Sequence, residues 1–213
     1  MKTSVIIPVK SFSKSKSRLN LSSSNVEDLC KLMLKEILHV ISETKLIDDT
    51  ILVSKDESAF DIGRKFNCIE IVDENESGVN DAVSLADQFL IEHGYDCSVI
   101  LPQDIPLIFP QDLDTLFAYY ETKKCAIITP SRHFDGTNAL LRMSNPSIKT
   151  RYDEGSYKYQ FEPLKNAQIN YSIALIHRIM IDLDNIIDVK HMLKLNIKPS
   201  FCSKLETIFS DSN

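Results

Sequence analysis

The sequence predicts an α/β fold, a three-layer α/β/α sandwich around a mainly parallel sheet. Short apolar runs typical of buried strands recur along the first 130 residues, and helical periodicity separates them. That alternation favours parallel pairing, because parallel neighbours need a long crossover connection between them. At 213 residues, 43% of them hydrophobic, the chain can bury one sizeable core, and we predict a single domain over residues 1–213.

The run at 98–108, S-V-I-L-P-Q-D-I-P-L-I, is the centre of this arrangement. Pro102 and Pro106 cannot donate ladder hydrogen bonds, so the strand should end near Leu101. Asp104 then lies just past the carboxyl end of a central strand, where open α/β sheets bind their ligands. Its carboxylate suits Mg²⁺, and Mg²⁺ in turn suits phosphate. A cap of the turn or of the next helix is an equal alternative.

A serine-rich basic loop at 10–24 follows the first strand, which is predicted at 4–9. Four of its side chains are cationic, those of Lys10, Lys14, Lys16 and Arg18. Together with serine hydroxyls and backbone N–H groups, such cations suit a triphosphate. The loop lacks the glycines of a Walker P-loop, which excludes that motif. A solvated, mobile basic loop is the alternative interpretation.

Periodicity and turn residues predict the elements up to residue 92, namely strands at 50–53 and 68–72 and helices at 25–41, 59–66 and 80–92. Ser24 or Asn25 is the expected N-cap of the first helix. A turn around Gly78 precedes the third helix. Asn80 is either the N-cap of that helix or an amide near a nucleotide, and the cap is the simpler interpretation.

The last part of the chain departs from the strand–helix alternation. Pro110 suits the first turn of a helix that reaches residue 120, and a buried strand at 125–129 should end at Pro130. Four segments follow: a polar turn and strand at 134–141, a polar-to-helical stretch opening at 153–157, an apolar stretch at 173–183 and a helix at 188–193. The tail from Pro199 is expected to be peripheral.

Composition excludes several classes of function. A formal net charge of −6 argues against a general nucleic-acid binder, and no apolar run approaches the ~18 residues of a membrane span. The N-terminus shows no signal-peptide pattern, so we expect a cytoplasmic protein. The five cysteines are widely spaced without a C-x-x-C pair, which favours reduced thiols over a zinc site.

Four features could meet at one edge of the sheet: the basic loop, Asp104, the turn at 136–138 and the pair Asp182 and Asp184. Carboxylates from distant segments can hold a divalent cation that neutralises phosphate charge and orients an in-line attack. Each feature alone has an ordinary alternative, since G-T-N suits a plain turn and D-L-D suits a helix cap. Their occurrence in one α/β chain favours a nucleotidyltransferase.

These motifs resemble those of the 2-phospho-L-lactate guanylyltransferases. I-P-V-K at 7–10 with S-K-S-R-L at 15–19 is similar to the opening signature of that family. L-P-Q-D-I-P-L at 101–107 resembles its central acidic motif, D-G-T-N-A-L at 135–140 its glycine-rich turn, and D-L-D at 182–184 its closing acidic motif. The motifs occur in family order across essentially the whole chain.

The resemblance implies a nucleoside-diphosphosugar-transferase (GT-A-like) fold and Mg²⁺-dependent nucleotidyl transfer. In that family a small phosphorylated acid, such as 2-phospho-L-lactate or phosphoenolpyruvate, attacks the α-phosphorus of GTP, and the product feeds coenzyme F-420 synthesis. By the same resemblance, Asp104, Lys16 and Arg18 are catalytic, and the nucleotide site comprises Lys10, Lys16, Arg18 and Asn80. The metal ligands would be Asp104 together with Asp182 or Asp184, a choice that the sequence leaves open, and the acceptor site would be Thr137, Asn138, Gly155 and Ser156.

Three positions depart from the family pattern. Gln103 replaces the small residue usual before the central aspartate, which would narrow or reshape the site. Asp153 and Glu154 stand in a loop that is usually glycine-x-x-serine, and an acidic side chain there would repel a carboxylate ligand. The proline usual after the final acidic pair is absent, with N-I-I at 185–187 in its place. The reaction type is unaffected, and the acceptor stays open between lactate-, pyruvate- and glycerate-type phosphates.

Two other functions compete with this one. Another nucleotidyltransferase of the same fold, with a sugar-phosphate or molybdopterin-type acceptor, should carry a glycine-rich loop after the first strand, but no glycine precedes Gly63. A non-catalytic nucleotide-binding module would not need the carboxylates at 104, 182 and 184. We expect GTP and a small phosphorylated carboxylic acid as partners, and a homodimer as the commonest closed assembly.

Overall fold

The computed structural model describes residues 1–123, 126–143, 149–152 and 155–210. Its strands are β1 (Thr3–Val9), β2 (Asp49–Ser54), β3 (Ile69–Val72), β4 (Cys97–Ile100), β5 (Ala126–Pro130), β6 (Thr137–Met143) and β7 (Tyr171–Ile173). Its helices are α1 (Ser23–Ser42), α2 (Glu57–Gly63), α3 (Val79–Glu92), α4 (Pro110–Lys123), α5 (Ser156–Tyr159), α6 (Phe161–Asn166), α7 (Ile186–Leu195) and α8 (Pro199–Ser210).

The strands form one mainly parallel sheet, as predicted, and their order in it is β3-β2-β1-β4-β6-β5-β7. The pairs of β1 with β2 and β4, of β2 with β3 and of β5 with β7 are parallel. Strand β6 inserts antiparallel between β4 and β5. Because β6 runs against β4, its first residues lie at the edge where β1 and β4 end.

Helices cover both faces of the sheet, which confirms the three-layer sandwich. On one face, α1, α2, α4, α7 and α8 pack apolar side chains against the sheet. On the other face, α3 and α6 pack against a second apolar cluster. Strand β1 serves both faces, since Val5, Ile7 and Val9 point to the first cluster and Ile6 to the second.

Two predicted helix caps were wrong. Ser22 caps α1, because its side chain accepts the N–H of Asn25, and the helix starts at Ser23, two residues before the predicted start. Gly78, with a φ of +133°, precedes α3, so Asn80 lies inside the first turn of that helix. Glycine tolerates this positive φ, which side chains with a Cβ rarely adopt.

The tail from Pro199 is not peripheral, which corrects the sequence prediction. It forms α8, whose Phe201, Cys202 and Leu205 are buried in the first apolar cluster. Pro130 is the last residue of β5 rather than the residue after it, and Cys125 lies outside the described residues. The other four cysteines are free thiols. Among the described residues, no helix is long and apolar enough to cross a bilayer.

Candidate functional site

A cleft of about 650 Å³ opens at the carboxyl ends of β1, β3 and β4. It brings together six of the side chains predicted for the site: Lys10, Lys16, Arg18, Asp104, Thr137 and Asp184. They come from four separate segments of the chain, so only the folded sheet places them side by side. The position agrees with the rule that open α/β sheets bind ligands beyond the carboxyl ends of their strands.

The basic loop that follows β1 is anchored on both sides, unlike the mobile loop of the alternative interpretation. Glu76 accepts the backbone N–H of Ser11 at 2.7 Å and also contacts the Ser11 hydroxyl and the Lys14 ammonium. Asp56 accepts the N–H of Phe12 at 2.8 Å, and the Phe12 ring is buried. These contacts lower the pKa of the Glu76 carboxyl to about 2, chiefly through the Lys14 and Ser11 hydrogen bonds.

Lys16 joins two of the predicted metal ligands. Its Nζ lies 2.7 Å from Asp104 Oδ2 and 2.9 Å from Asp184 Oδ1. The Lys16 side chain is 8% exposed, whereas those of Asp104 and Asp184 are 21% and 47% exposed. Burial lowers the pKa of Lys16, but the two carboxylates outweigh it and the net shift is upward. Asp104 therefore belongs to an ion-pair network rather than to a helix cap.

Backbone hydrogen bonds fix the spacing of the two acidic segments. Leu183 N–H donates to the Asp104 carbonyl at 2.9 Å, which ties the loop after β4 to the D-L-D segment. Asp188 Oδ2 accepts the N–H groups of Asp184 and Asn185, both at 3.0 Å. Asn185, where the family usually has proline, is the N-cap of α7 and forms a capping box with Asp188. The backbone of Asp184 is therefore fixed by the capping box at the start of α7, but Asp184 itself is not the N-cap.

Asp182 adds a third negative group near this pair. Burial, followed by the charges of Asp104 and Asp184, raises the pKa of the Asp182 carboxyl to about 6, although a hydrogen bond from Asn138 opposes the rise. Among the described residues, no group of three or more His, Cys, Asp or Glu side chains is preassembled for a metal ion. Even so, the carboxylates repel one another and supply only oxygen ligands, a set that fits Mg²⁺.

The predicted acceptor residues lie around the start of β6. Thr137 lines the cleft, and the Ser156 hydroxyl donates to its Oγ1 at 3.2 Å. Gly155, at a φ of +75°, allows the turn into α5 that brings Ser156 there. Asn138 instead points into the protein, where its amide donates to the Ile179 carbonyl at 3.0 Å and helps to place the acidic segment. Asp153 and Glu154 lie outside the described residues.

Asn80 and Gln103 take different positions from those expected. Asn80 Oδ1 accepts the N–H of Tyr152 at 2.7 Å and thereby holds Tyr152 against the cleft, but Asn80 is not among the lining residues. Its assignment to the nucleotide stays a prediction. Gln103 lines the cleft as expected, and its Oε1 is buried with no hydrogen-bond partner among the described residues.

Sequence reasoning missed one wall of the cleft, formed by Asp73, Glu76, Ser77 and Tyr152. The sequence predicts only a turn around Gly78 here and gives no site role to the residues before it. The sequence does contain one signal for this wall. Asp73 and Glu74 directly follow the third predicted strand, and the carboxyl ends of the other strands are where the predicted site residues lie. Tyr152 has no comparable signal, because it reaches the cleft only through tertiary packing.

Comparison with known proteins finds a family and a fold. The family model described as guanylyl transferase CofC like matches residues 3–196. The phosphoenolpyruvate guanylyltransferase of Conexibacter woesei is 28% identical over 198 residues, which cover 92% of this chain and 89% of that protein. The 2-phospho-L-lactate guanylyltransferase of Methanocaldococcus jannaschii is 29% identical over 186 residues, 86% of this chain and 79% of that protein.

A solved structure described as a nucleotide-diphospho-sugar transferase from Desulfovibrio desulfuricans G20 superimposes with a TM-score of 0.76. The match covers 99% of this chain and 95% of that chain, at 15% identity. At that identity the likeness concerns the fold alone. It confirms the GT-A-like α/β fold that the sequence motifs implied.

Proposed function

The chain belongs to the CofC-like guanylyl transferase family of nucleotidyltransferases, and from that premise we propose that it transfers GMP from GTP to a small phosphorylated carboxylic acid. The reaction would require Mg²⁺ and release pyrophosphate. The candidate acceptors are 2-phospho-L-lactate, phosphoenolpyruvate and 3-phosphoglycerate, with a place in coenzyme F-420 synthesis. The central support is the shared contact of Asp104 and Asp184 with Lys16 inside a cleft that Lys10 and Arg18 also line.

The proposed reaction is an in-line displacement at the α-phosphorus of GTP. An oxygen of the acceptor phosphate forms the new bond to that phosphorus, while the bond from the α-phosphorus to the bridging oxygen breaks and pyrophosphate carries the charge away. Lys10, Lys16 and Arg18 would hold the phosphates and offset this charge. No proton needs to move, so the side chains act by position and charge.

Asp104, Asp182 and Asp184 would hold Mg²⁺. Bound there, the cation would neutralise phosphate charge and help to align the two reacting groups. Lys16 presently neutralises Asp104 and Asp184, so its ammonium would be free to turn toward the phosphates once a divalent cation replaces it.

Thr137 would receive the acceptor, because it lines the cleft, and the buried Ser156 would support it, because its hydroxyl donates to Thr137 Oγ1. Hydroxyl and backbone N–H groups can donate to a carboxylate without adding charge. Asn138 would act indirectly by holding the segment that carries Asp182. Family membership favours such an acid over a sugar-phosphate or molybdopterin-type acceptor.

Pyrophosphate release by the purified protein tests the proposal. GTP and Mg²⁺ are supplied with each of the three acceptors in separate reactions, with ATP, CTP and Mg²⁺-free mixtures as controls. Release that requires GTP, Mg²⁺ and one acceptor is the expected result. Folded protein that binds GTP but stays silent with all three acceptors would contradict the proposed acceptor class.

A further inference from the structure

One carboxylate of the cleft has no role in the site described above. Asp73 directly follows β3, lines the cleft and is only 8% exposed. Its Oδ1 accepts the N–H of Glu76 at 3.0 Å. Within the described part of the chain, no second donor and no cation contacts the Asp73 carboxylate.

The other carboxylates that line the cleft are already engaged. Glu76 contacts Lys14 and Ser11, and Asp104 and Asp184 share the Lys16 ammonium. The second Asp73 oxygen is not one of the enclosed polar atoms that lack a partner, so it faces the open cleft. Because this oxygen has no partner among the described residues, an N–H donor of a bound ligand could reach it and form a charge-assisted hydrogen bond.

The position of Asp73 in the sheet indicates which part of a bound nucleotide would lie next to it. In the order β3-β2-β1-β4-β6, Asp73 follows β3, the phosphate-binding loop follows β1 and Asp104 follows β4. Strands β3 and β4 are three spacings apart, about 14 Å at ~4.8 Å each. If the reacting phosphate lies near Asp104 and the acceptor near Thr137, the ribose and base extend toward Asp73.

The chemistry of the bases then selects one of them. Guanine presents two neighbouring N–H donors on its Watson–Crick edge, N1–H and the N2 amino group, and a carboxylate can accept both in a bidentate pair. Adenine and cytosine each place an acceptor nitrogen beside their amino group, which a carboxylate oxygen would repel. Uracil offers a single N–H between two carbonyls.

We infer that Asp73 is the base-specificity residue of this cleft and selects guanine through its N1–H and N2 amino groups. The inference rests on the proposed function in requiring a nucleoside triphosphate with its phosphates at the basic loop. It goes beyond that function by assigning the choice of base to a named residue.

Asp73→Asn is the sharpest test, because asparagine keeps an oxygen for the Glu76 N–H and replaces the other oxygen by an NH₂ donor. That donor opposes the N2 amino group of guanine but complements the C2 carbonyl of xanthine. Affinities for GTP, ITP, XTP and ATP are measured by calorimetry with Mg²⁺ and no acceptor. Asp114→Asn, an exposed position on α4, is the matched control.

The wild-type protein should bind GTP at least about tenfold more tightly than ITP, which lacks the 2-amino group, or XTP. In Asp73→Asn the preference for GTP over XTP should fall at least about tenfold or reverse, while Asp114→Asn keeps the wild-type ratios. Equal wild-type affinity for GTP and ITP would overturn the assignment even if the variant failed to fold. An unchanged GTP-to-XTP ratio in folded Asp73→Asn would overturn it too.

The same titrations separate this inference from the proposed function. A wild-type protein that prefers ATP to GTP, or binds neither, would contradict the proposed guanylyl transfer before any variant is made. A wild-type preference for GTP that survives Asp73→Asn would contradict only the role of Asp73.

Discussion

Lys16 and Arg142 are both buried cations paired with aspartate, yet they stand in very different surroundings. Lys16 contacts Asp104 and Asp184, whose side chains keep 21% and 47% of their surface exposed toward the cleft. Arg142 on β6 is fully buried, and its Nη2 lies 2.8 Å from both carboxylate oxygens of Asp87 on α3. The remaining two guanidinium nitrogens find no partner among the described residues.

The comparison shows how solvent access separates a functional ion pair from a structural one. A competing cation can reach the carboxylates that Lys16 holds, and a phosphate can pair with the Lys16 ammonium, so this ion pair can exchange partners. Asp87 is 20% exposed, about as much as Asp104, so the difference lies in the cation, since the Arg142 side chain is fully buried, and in the more exposed Asp184. Burial raises the pKa of Asp87, and the guanidinium only partly offsets that rise. We therefore expect changes near Lys16 to alter catalysis and changes at Arg142 to alter folding.

Asp104→Asn should have the largest effect of the three substitutions, a loss of turnover. Without that loss, the contrast between the functional Lys16 pair and the structural Arg142 pair would not hold. The substitution keeps the shape of the side chain but removes one charge from the set that would hold Mg²⁺. Turnover should fall about a thousandfold, while the midpoint of thermal unfolding stays within a few degrees of wild type. Pyrophosphate release and calorimetry check both, and near-normal turnover would exclude Asp104 as a metal ligand.

Arg142→Met should destabilise the fold by about 3 kcal/mol, the lower end for a broken buried pair, because it leaves the Asp87 carboxylate, which is 20% exposed, without its partner. Chemical denaturation measures the change in the free energy of unfolding. The double variant Arg142→Met/Asp87→Leu should recover most of the loss, since it also removes the Asp87 carboxylate that the single variant leaves without a partner. If the single variant were as stable as wild type, the pair would not be structural, and the contrast with Lys16 would be lost.

The sequence predicted the parts of this site that depend on local pattern. The apolar run before Pro102 located the end of β4, and that end placed Asp104 at the ligand edge of the sheet. Composition indicated the basic loop, the turn that contains Thr137 and the D-L-D segment, and the family resemblance supplied their roles. Each of these signals lies within a few consecutive residues, so no tertiary contact was needed to find it.

What the sequence could not predict depends on contacts between distant segments. Strand β6 has ordinary strand residues, and nothing in them shows that it inserts antiparallel between β4 and β5. Arg142 follows A-L-L near the end of β6, and its sequence position is typical of an exposed strand end. Only the tertiary contact with Asp87 on α3 shows that it is buried. Helix α8 does show apolar residues at helical spacing, but its position after the last motif led to the wrong peripheral assignment.

Lys16→Met should have the smallest of the three effects, a small loss of stability. It is also the most direct test of whether Lys16 and Mg²⁺ share a site. Without the ammonium, Asp104 and Asp184 face each other, but solvent screens them, so the loss in Mg²⁺-free buffer should be about 1–2 kcal/mol. Added Mg²⁺ should then raise the unfolding midpoint of this variant more than that of wild type, because in the variant Mg²⁺ does not have to displace an ammonium from the carboxylates. Arg142→Met provides the control, as its gain from Mg²⁺ should match that of wild type. An equal Mg²⁺ response in Lys16→Met and wild type would mean that cation and ammonium do not share a site, and Lys16 would then be as structural as Arg142.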